Sequence, residues 1–323
     1  MRILATGGAG FIGSRYVRAL LEGAYPGHEA AEVTVLDLLT YAGNRANLPA
    51  AHPRLTFVHG DVCDAPMLLD LLPGHDAVVH FAAESHVDRS LDAPAEFVRT
   101  NVAGTQTLLE ACLRTGVPRV LHVSTDEVYG SIERGSWTEE WPLDPSSPYA
   151  ATKAGSDLVA RSYWHSHGLD VSVSRCSNNY GPYQHAEKLI PLFTTRLLKG
   201  RPVPLYGSGA NVREWMHVDD HCRALQLILT EGRSGQVYNI GGGTPLTNLQ
   251  VTERLLVLCG ADPDRVRHTA DRKGHDRRYA LDGGKLREEL GFEPAVPFEQ
   301  GLAETVAWYR DNPDWWADAD DSA

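Results

Sequence analysis

The stretch Arg2-Ile3-Leu4-Ala5-Thr6-Gly7-Gly8-Ala9-Gly10-Phe11-Ile12-Gly13 decides the architecture. A short apolar run, Arg2–Thr6, ends in glycines, and helical periodicity begins at once, from Phe11 to Glu22. A strand that turns directly into a helix through glycines opens a βαβ unit. The alternation continues outward. Glu32–Leu36 is a β-branched run ending at Asp37, and Leu55–His59 ends in Gly60-Asp61. Ala77–Phe81 follows, then the helix-like Phe97–Thr115 and a strand over Arg119–Ser124. Strands and helices alternating at this spacing predict an α/β fold, a doubly wound parallel sheet (Rossmann) with helices on both faces. Val171–Arg175 and Gln236–Ile240 supply late strands, Arg201–Gly209 is rich in Pro and Gly, and Leu249–Leu258 and Phe298–Arg310 are helical runs. The expected organisation is a cofactor domain over 1–175, with later chain at about 214–242 crossing back to it. A smaller C-terminal α/β substrate domain spans 176–323. The acidic tail Ala317–Ala323 lacks periodicity and is expected to fray.

Composition narrows the function classes. Hydrophobic residues make up 42% of 323, ordinary for a globular chain, and the net charge is −12. Such acidity argues against non-specific nucleic-acid binding and against anionic membranes, while leaving room for a local basic pocket. The N-terminal apolar run is too short for a signal peptide, and no stretch approaches the roughly 20 apolar residues of a membrane span. Cys63, Cys112, Cys176, Cys222 and Cys259 are odd in number, widely spaced and without a C-x-x-C pattern. That reads as reduced, packed thiols in a cytoplasmic protein with no metal site.

The glycine turn suits a dinucleotide. Gly7 or Gly8 permits the tight turn, Gly10 lets backbone approach a pyrophosphate, and Gly13 lets the helix pack close to the sheet. The helix N-terminus then faces the phosphates with unpaired N–H groups. Alone, the same motif also serves as a plain strand-to-helix junction. Asp37 at the end of the second strand adds an acceptor for ribose hydroxyls that would repel a 2′-phosphate. No arginine follows in Asp37-Leu38-Leu39-Thr40, so NAD is favoured over NADP. Asp61 could reach the adenine, or could simply cap the next helix.

Tyr149-Ala150-Ala151-Thr152-Lys153 places a phenol and an ammonium four residues apart, on one face of a helix. The ammonium is expected to lower the phenol's pKa from about 10, giving a base that takes an alcohol proton while hydride leaves the same carbon. Thr125, ending the preceding strand, offers a hydroxyl to the same oxygen. Asp126-Glu127 comes next, at the strand end where doubly wound sheets bind ligands. Two adjacent carboxyls with separated proton affinities can act as acid and base in an elimination; otherwise they are a solvated acidic turn.

The order of glycine turn, Asp37, Thr125, Tyr149 and Lys153 is similar to that of the short-chain dehydrogenase/reductases, and the chain length suggests their extended branch. Thr125-Asp126-Glu127-Val128-Tyr129-Gly130 and His80-Phe81-Ala82-Ala83-Glu84-Ser85-His86-Val87-Asp88-Arg89-Ser90 resemble signatures of the dTDP-glucose 4,6-dehydratases. So do Leu39-Thr40-Tyr41-Ala42-Gly43-Asn44, Ser177-Asn178-Asn179-Tyr180-Gly181-Pro182, Glu187-Lys188-Leu189-Ile190-Pro191 and Gly274-His275-Asp276-Arg277-Arg278-Tyr279.

The resemblance covers nearly the whole chain and implies specific roles. Tyr149 is the base at the sugar 4-hydroxyl, tuned by Lys153. Asp126 is the acid at the 6-hydroxyl, and Glu127 removes the C5 proton. Thr125, Ser85 and Asn178 contact the hexose, and Lys188 and Leu189 line the nucleotide–sugar channel. Pro204, Leu205 and Tyr206 contribute to a thymidine pocket, Arg213 pairs with the diphosphate near Asn248, and Asp271, Arg272, Lys273, Gly274 and His275 close over the substrate. Phe11, Ile12, Asp37, Leu38, Leu39, Thr40, Asp61, Val62, Phe81, Ala82, Ala83, Thr100 and Asn179 match the cofactor side. The resemblance also implies dTDP-glucose as substrate, retained NAD, a homodimer through helices of the cofactor domain, and a place in deoxysugar biosynthesis. Thymidine rather than uridine rests on it alone. Two rivals stay open from the residues themselves: a nucleotide-sugar epimerase or decarboxylase of the same fold, which needs no acid pair, and a non-catalytic NAD-binding sensor, which needs no Tyr149 or Lys153.

Overall fold

The structure, a computed structural model, describes residues 1–271 and 274–317. In chain order its strands are β1 (Arg2–Thr6), β2 (Glu32–Asp37), β3 (Leu55–His59), β4 (Ala77–His80), β5 (Val120–Thr125), β6 (Val171–Cys176), β7 (Asn178–Tyr180), β8 (Val203–Tyr206), β9 (Val212–His217), β10 (Val237–Ile240), β11 (Pro245–Thr247) and β12 (Val266–Thr269).

Seven of them form one sheet in the order β10-β6-β5-β4-β1-β2-β3, with every pairing parallel. The chain leaves β1 toward β2 and β3 on one side and resumes on the other with β4. The strand order therefore reverses between β1 and β4, where a crevice opens at the strands' carboxyl ends. The central strands β4, β5 and β6 are buried along their whole length, as a sheet covered on both faces requires. One apolar core lies between the sheet and the helices Phe11–Leu21 and Val218–Glu231; the opposite core holds Leu4, Val78, Leu108, Val120 and Ala160.

The predicted helix over 97–115 is real but not uniform. Residues Val98–Gly104 adopt a π-helix between Pro94–Phe97 and Thr105–Thr115. Such widened turns re-aim side chains and occur at functional sites. Here it carries Thr100 and Asn101 to the cleft side of the sheet. Asn101 donates to Glu84 O at 3.0 Å and to Thr152 Oγ1 at 2.9 Å, tying the segment after β4 to the Tyr149 helix.

The later chain forms two small sheets, β11-β9-β7 and β12-β8, around a separate core of Phe193, Leu205, Trp215, Leu255 and Leu302. The Pro/Gly-rich stretch 201–209 is not only a connector: it holds β8, which pairs with β12. Its alternation was hidden because Pro204 occupies one of only four strand positions. β9 joins the small sheet, whereas the helix Val218–Glu231 and β10 lie on the large one.

Candidate active site

The glycine turn is built by close approach. Gly7 sits at φ +67°, and a Cβ there would lie 2.5 Å from Ala82 N, because β1 and β4 pass side by side. A Cβ on Gly13 would collide with the Gly7 carbonyl. The helix that follows has Gly10 as its N-cap and no side-chain cap, so its first N–H groups face the cleft without a protein acceptor from the cap. Asp37, at the end of β2, accepts from Ala9 N at 2.9 Å and from Leu39 N at 2.8 Å, locking the turn to the strand end. Burial raises its pKa, and the two N–H bonds oppose the rise. An uncapped helix start beside a ribose-binding carboxylate fits a dinucleotide with an unphosphorylated 2′-hydroxyl.

A cleft of about 310 Å³ runs from this turn to the end of β5. Gly7, Gly10, Phe11, Ile12, Gly13, Asp37, Leu38, Thr40, Asp61, Val62, Phe81, Ala82, Ala83, Thr100 and Asn179 line it on the cofactor side. Leu39 does not line it; its backbone, at φ +53°, serves Asp37 instead. Asp61 is paired with Arg99 and accepts from Cys63 N at 2.8 Å.

Thr125, Asp126, Glu127, Tyr149 and Lys153 meet at the far end of the same cleft. Asp126 is only 2% exposed; Thr125 Oγ1 donates to its Oδ1 at 3.2 Å, and its Oδ2 has no hydrogen-bond partner. Burial first, then Glu127 and Glu214, push its pKa well above the ordinary carboxylate value. A carboxyl that holds its proton more tightly than usual and has an unengaged oxygen suits a general acid.

Tyr149 departs from expectation. Its pKa stands well above 10, raised first by burial and then by Glu127, with Thr125 hydrogen-bonding in opposition. Lys153 does not offset this: its Nζ donates to Val123 O at 2.8 Å, and burial lowers its own pKa to about 8. The sequence shows the Tyr–Lys spacing but not the depth at which the pair is buried, and desolvation outweighs their attraction.

On the substrate side, Ser85, Asn178 and Lys188 line the cleft. Lys188 Nζ donates to Ser85 O at 2.9 Å, and the Ser85 and Tyr41 hydroxyls lie 3.2 Å apart. Leu189, Pro204, Leu205, Tyr206, Arg213, Asn248, Asp271, Gly274 and His275 are not part of this cleft lining. Leu205 is core, 1% exposed, so its side chain offers no pocket surface. Arg213 and Glu214 are both buried and do not form a surface ion pair. Glu214 accepts from Gly243 N at 2.6 Å and Leu281 N at 2.9 Å. The Arg213 guanidinium donates to Asp276 O at 3.0 Å and lies over the Tyr279 ring at 4.1 Å. Its charge reaches Asp126, so this second group abuts the first. Tyr206 stands edge-on to His275 at 6.1 Å, and His275 Nδ1 is 2.6 Å from Asp271 Oδ1. Asn248 Oδ1 is buried without a partner. Arg272 and Lys273 lie outside the described residues. Among the described residues no cluster of metal-ligating side chains occurs.

Comparison with known proteins now bears on this geometry. The family described as GDP-mannose 4,6 dehydratase matches residues 4–305. The chain is 61% identical to the dTDP-glucose 4,6-dehydratase of Streptomyces niveus over 98% of its length and 95% of that protein. It is 52% identical to the Mycobacterium tuberculosis H37Rv enzyme of the same name, over 98% and 95%.

The chain belongs to the dTDP-glucose 4,6-dehydratase family.

Among solved structures, DesIV, a dTDP-glucose 4,6-dehydratase from Streptomyces venezuelae with NAD bound, aligns with a TM-score of 0.97 at 64% identity, covering 99% of this chain and 100% of that one. A UDP-glucose 4-epimerase from Thermotoga maritima shares the fold at 34% identity and a TM-score of 0.89, over 97% and 100%. Fold alone thus does not separate dehydratase from epimerase; sequence identity does.

Three residues important to this family member's site escaped the sequence reading: Asn101, Glu214 and Tyr279. None stands in a motif with its target. Asn101 depends on the π-helix, and Glu214 and Tyr279 reach the site through β9 and the segment that pairs with it at Arg278. A sequence signal existed only for Tyr279, inside the stretch from Gly274.

Proposed function

We propose that the protein converts dTDP-glucose to dTDP-4-keto-6-deoxyglucose and water, with NAD recycled in each turnover. The observation that carries this is the pairing, at the end of β5, of a buried Asp126 with a more accessible Glu127 beside Tyr149. Gly7, Gly10, Gly13, Asp37 and Thr100 would hold NAD, which would supply a hydride acceptor for C4 and a hydride donor for C6. Tyr149 takes the 4-hydroxyl proton, oriented by Thr125. The 4-ketone acidifies C5–H, Glu127 removes that proton, and Asp126 protonates the departing 6-hydroxyl. Two carboxyls in unequal surroundings can divide these tasks, because burial makes Asp126 hold its proton more tightly than an ordinary carboxyl. An epimerase has no use for such an acid, and a sensor has none for the whole set.

Ser85, Asn178 and Lys188 are suited to the hexose hydroxyls, with Leu189 at the channel wall. Arg213 carries the charge for the diphosphate, and the Asn248 side-chain NH2 is the group there that could donate to its oxygens. Tyr206 and the backbone of Pro204 and Leu205 flank the base, and Asp271, Gly274 and His275 cover it. Exposed Val98 and Leu158, 52% and 57% accessible on cofactor-domain helices, support a homodimer through that surface. No described helix is long and apolar enough to cross a membrane. Five unpaired thiols support a cytoplasmic setting.

The test is mass spectrometry of dTDP-glucose after incubation with the protein in deuterated water. The expected product has lost one water and gained one solvent deuterium at C5. Epimerised sugar of unchanged mass would overturn the reading.

A further inference from the structure

Beneath the Tyr149 helix runs a buried row of charge that the scheme above does not use. Asp157 lies one helical turn beyond Lys153 and is fully buried. Its Oδ2 pairs with Arg175 Nε at 2.8 Å, and its Oδ1 faces His122 Nε2 at 3.4 Å. Arg175 Nη1 donates to the Tyr129 hydroxyl at 2.8 Å, which donates to Asn239 Oδ1 at 2.9 Å. His122 Nε2 also meets Ser156 Oγ at 3.0 Å. The His80 ring lies 5.3 Å from that of His122, tilted by 37°, and is held by the Thr6 and Thr105 hydroxyls. Lys153 itself is 4% exposed, and its ammonium has one neutral hydrogen-bond partner, the Val123 carbonyl.

A buried ammonium with a single neutral partner needs an opposing charge nearby or it loses its proton. The groups that face Lys153 can be enumerated. Its own helix presents Asp157, one turn on, with Tyr149 one turn back; β4 presents His80, β5 presents His122, and β6 presents the Cys176 thiol, with Arg175 behind Asp157. Asp157 is the one carboxylate in this set. Burial and the Lys153 charge hold both histidines neutral. Lys153, Arg175 and Asp157 therefore leave one net positive charge under the phenol, which a phenolate at Tyr149 would neutralise.

We infer that Asp157 is a positioning residue of the reaction: anchored by Arg175, it keeps Lys153 in its ammonium form beneath Tyr149. The inference rests on the proposed role of Tyr149 as the base. Asp157 touches neither substrate nor cofactor and acts only through Lys153. Without Asp157 the lysine would shed its proton at lower pH, and Tyr149 would lose the charge that favours its phenolate.

The chain has five lysines, so the Lys153 signal can be followed by NMR of lysine-labelled protein and assigned with Lys153→Arg. In the parent, Lys153 is expected to stay charged up to about 8. Finding it neutral at pH 7 would overturn the inference without any further variant. In Asp157→Asn the titration should move at least one unit lower, and the alkaline limb of single-turnover NADH formation from dTDP-glucose should move with it, a loss of ~10-fold per unit at fixed pH. Asp157→Glu should restore the limb. A purely structural role predicts the opposite order, since Asn matches the shape and Glu does not; a uniform fall in rate with an unmoved limb would refute the proposal. If the parent forms no NADH from dTDP-glucose, the functional reading fails, and the Lys153 titration still decides the inference.

Discussion

The two halves of the ligand-binding surface are made in different ways. The cofactor half is backbone at the ends of consecutive strands: the turn after β1, Asp37 after β2, Asp61 after β3, Ala82 after β4. Its elements follow one another in the chain, and each carries a local signature. The proposed substrate half beyond Lys188 lies outside the cleft lining and is assembled from β8, β9, the helix starting at Asn248 and the segment 274–279, brought together by two small sheets. It owes its shape to pairings such as β8 with β12 and the bridge between Val212 and Arg278. A site made of local turns tolerates change outside them, whereas one made of distant pairings fails when any contributor shifts.

That contrast can be broken or sharpened by mutation. The largest effect is expected at the junction of the halves. Tyr149→Phe removes the base and should abolish NADH formation in single turnover, by ~10²–10⁴-fold or more. Asp126→Asn should leave C4 oxidation intact and slow elimination by ~10²–10⁴-fold, so NADH accumulates; an unchanged dehydration rate would remove Asp126 from the acid role. On the cofactor side, Gly7→Ala drives a methyl into Ala82 at a positive φ, and should cost ~1–3 kcal/mol with loss of co-purifying NAD, read by absorbance and thermal melting. On the substrate side, Arg213→Ala should raise KM by ~10-fold or more while kcat changes less, as loss of a charge-assisted contact worth ~1.5–3 kcal/mol implies. A kcat loss equal to the KM effect would place Arg213 in the chemistry and merge the two halves.

The smallest effect concerns stability. Asp126 has a folded-state pKa raised above its unfolded value. Its contribution is therefore intact below the unfolded pKa and is lost as pH rises through the folded one. Asp126→Asn escapes that loss, so its melting temperature should exceed the parent's at neutral pH, with the difference vanishing below about pH 4. Equal melting curves at pH 7 would show that Asp126 carries no such burden.

Legibility followed the same division. The glycine turn, the strand ends and the Tyr149–Lys153 spacing were readable because a few adjacent residues impose their geometry. The Asp126-Glu127 pair was readable as a pair, but its division of labour came only through the resemblance, since the physical cause lies in burial and in Glu214 from a strand 88 positions later. Tyr149 was misjudged for the same reason: spacing reports which groups meet, and only packing reports the dielectric in which they do. The strand β8 was obscured by Pro204, and Leu205, taken for pocket surface, alternates inward into the core.

The helix Val218–Glu231, which covers the Phe11–Leu21 helix, is synthesised late. At ribosomal rates of ~5–20 residues per second, roughly 10–40 s separate the emergence of these two packing partners. Throughout that interval the nascent chain carries a nearly finished cofactor turn whose outer apolar face is bare. A holdase acting early in translation, rather than a chaperone acting on the released chain, is the kind of help such a connectivity calls for.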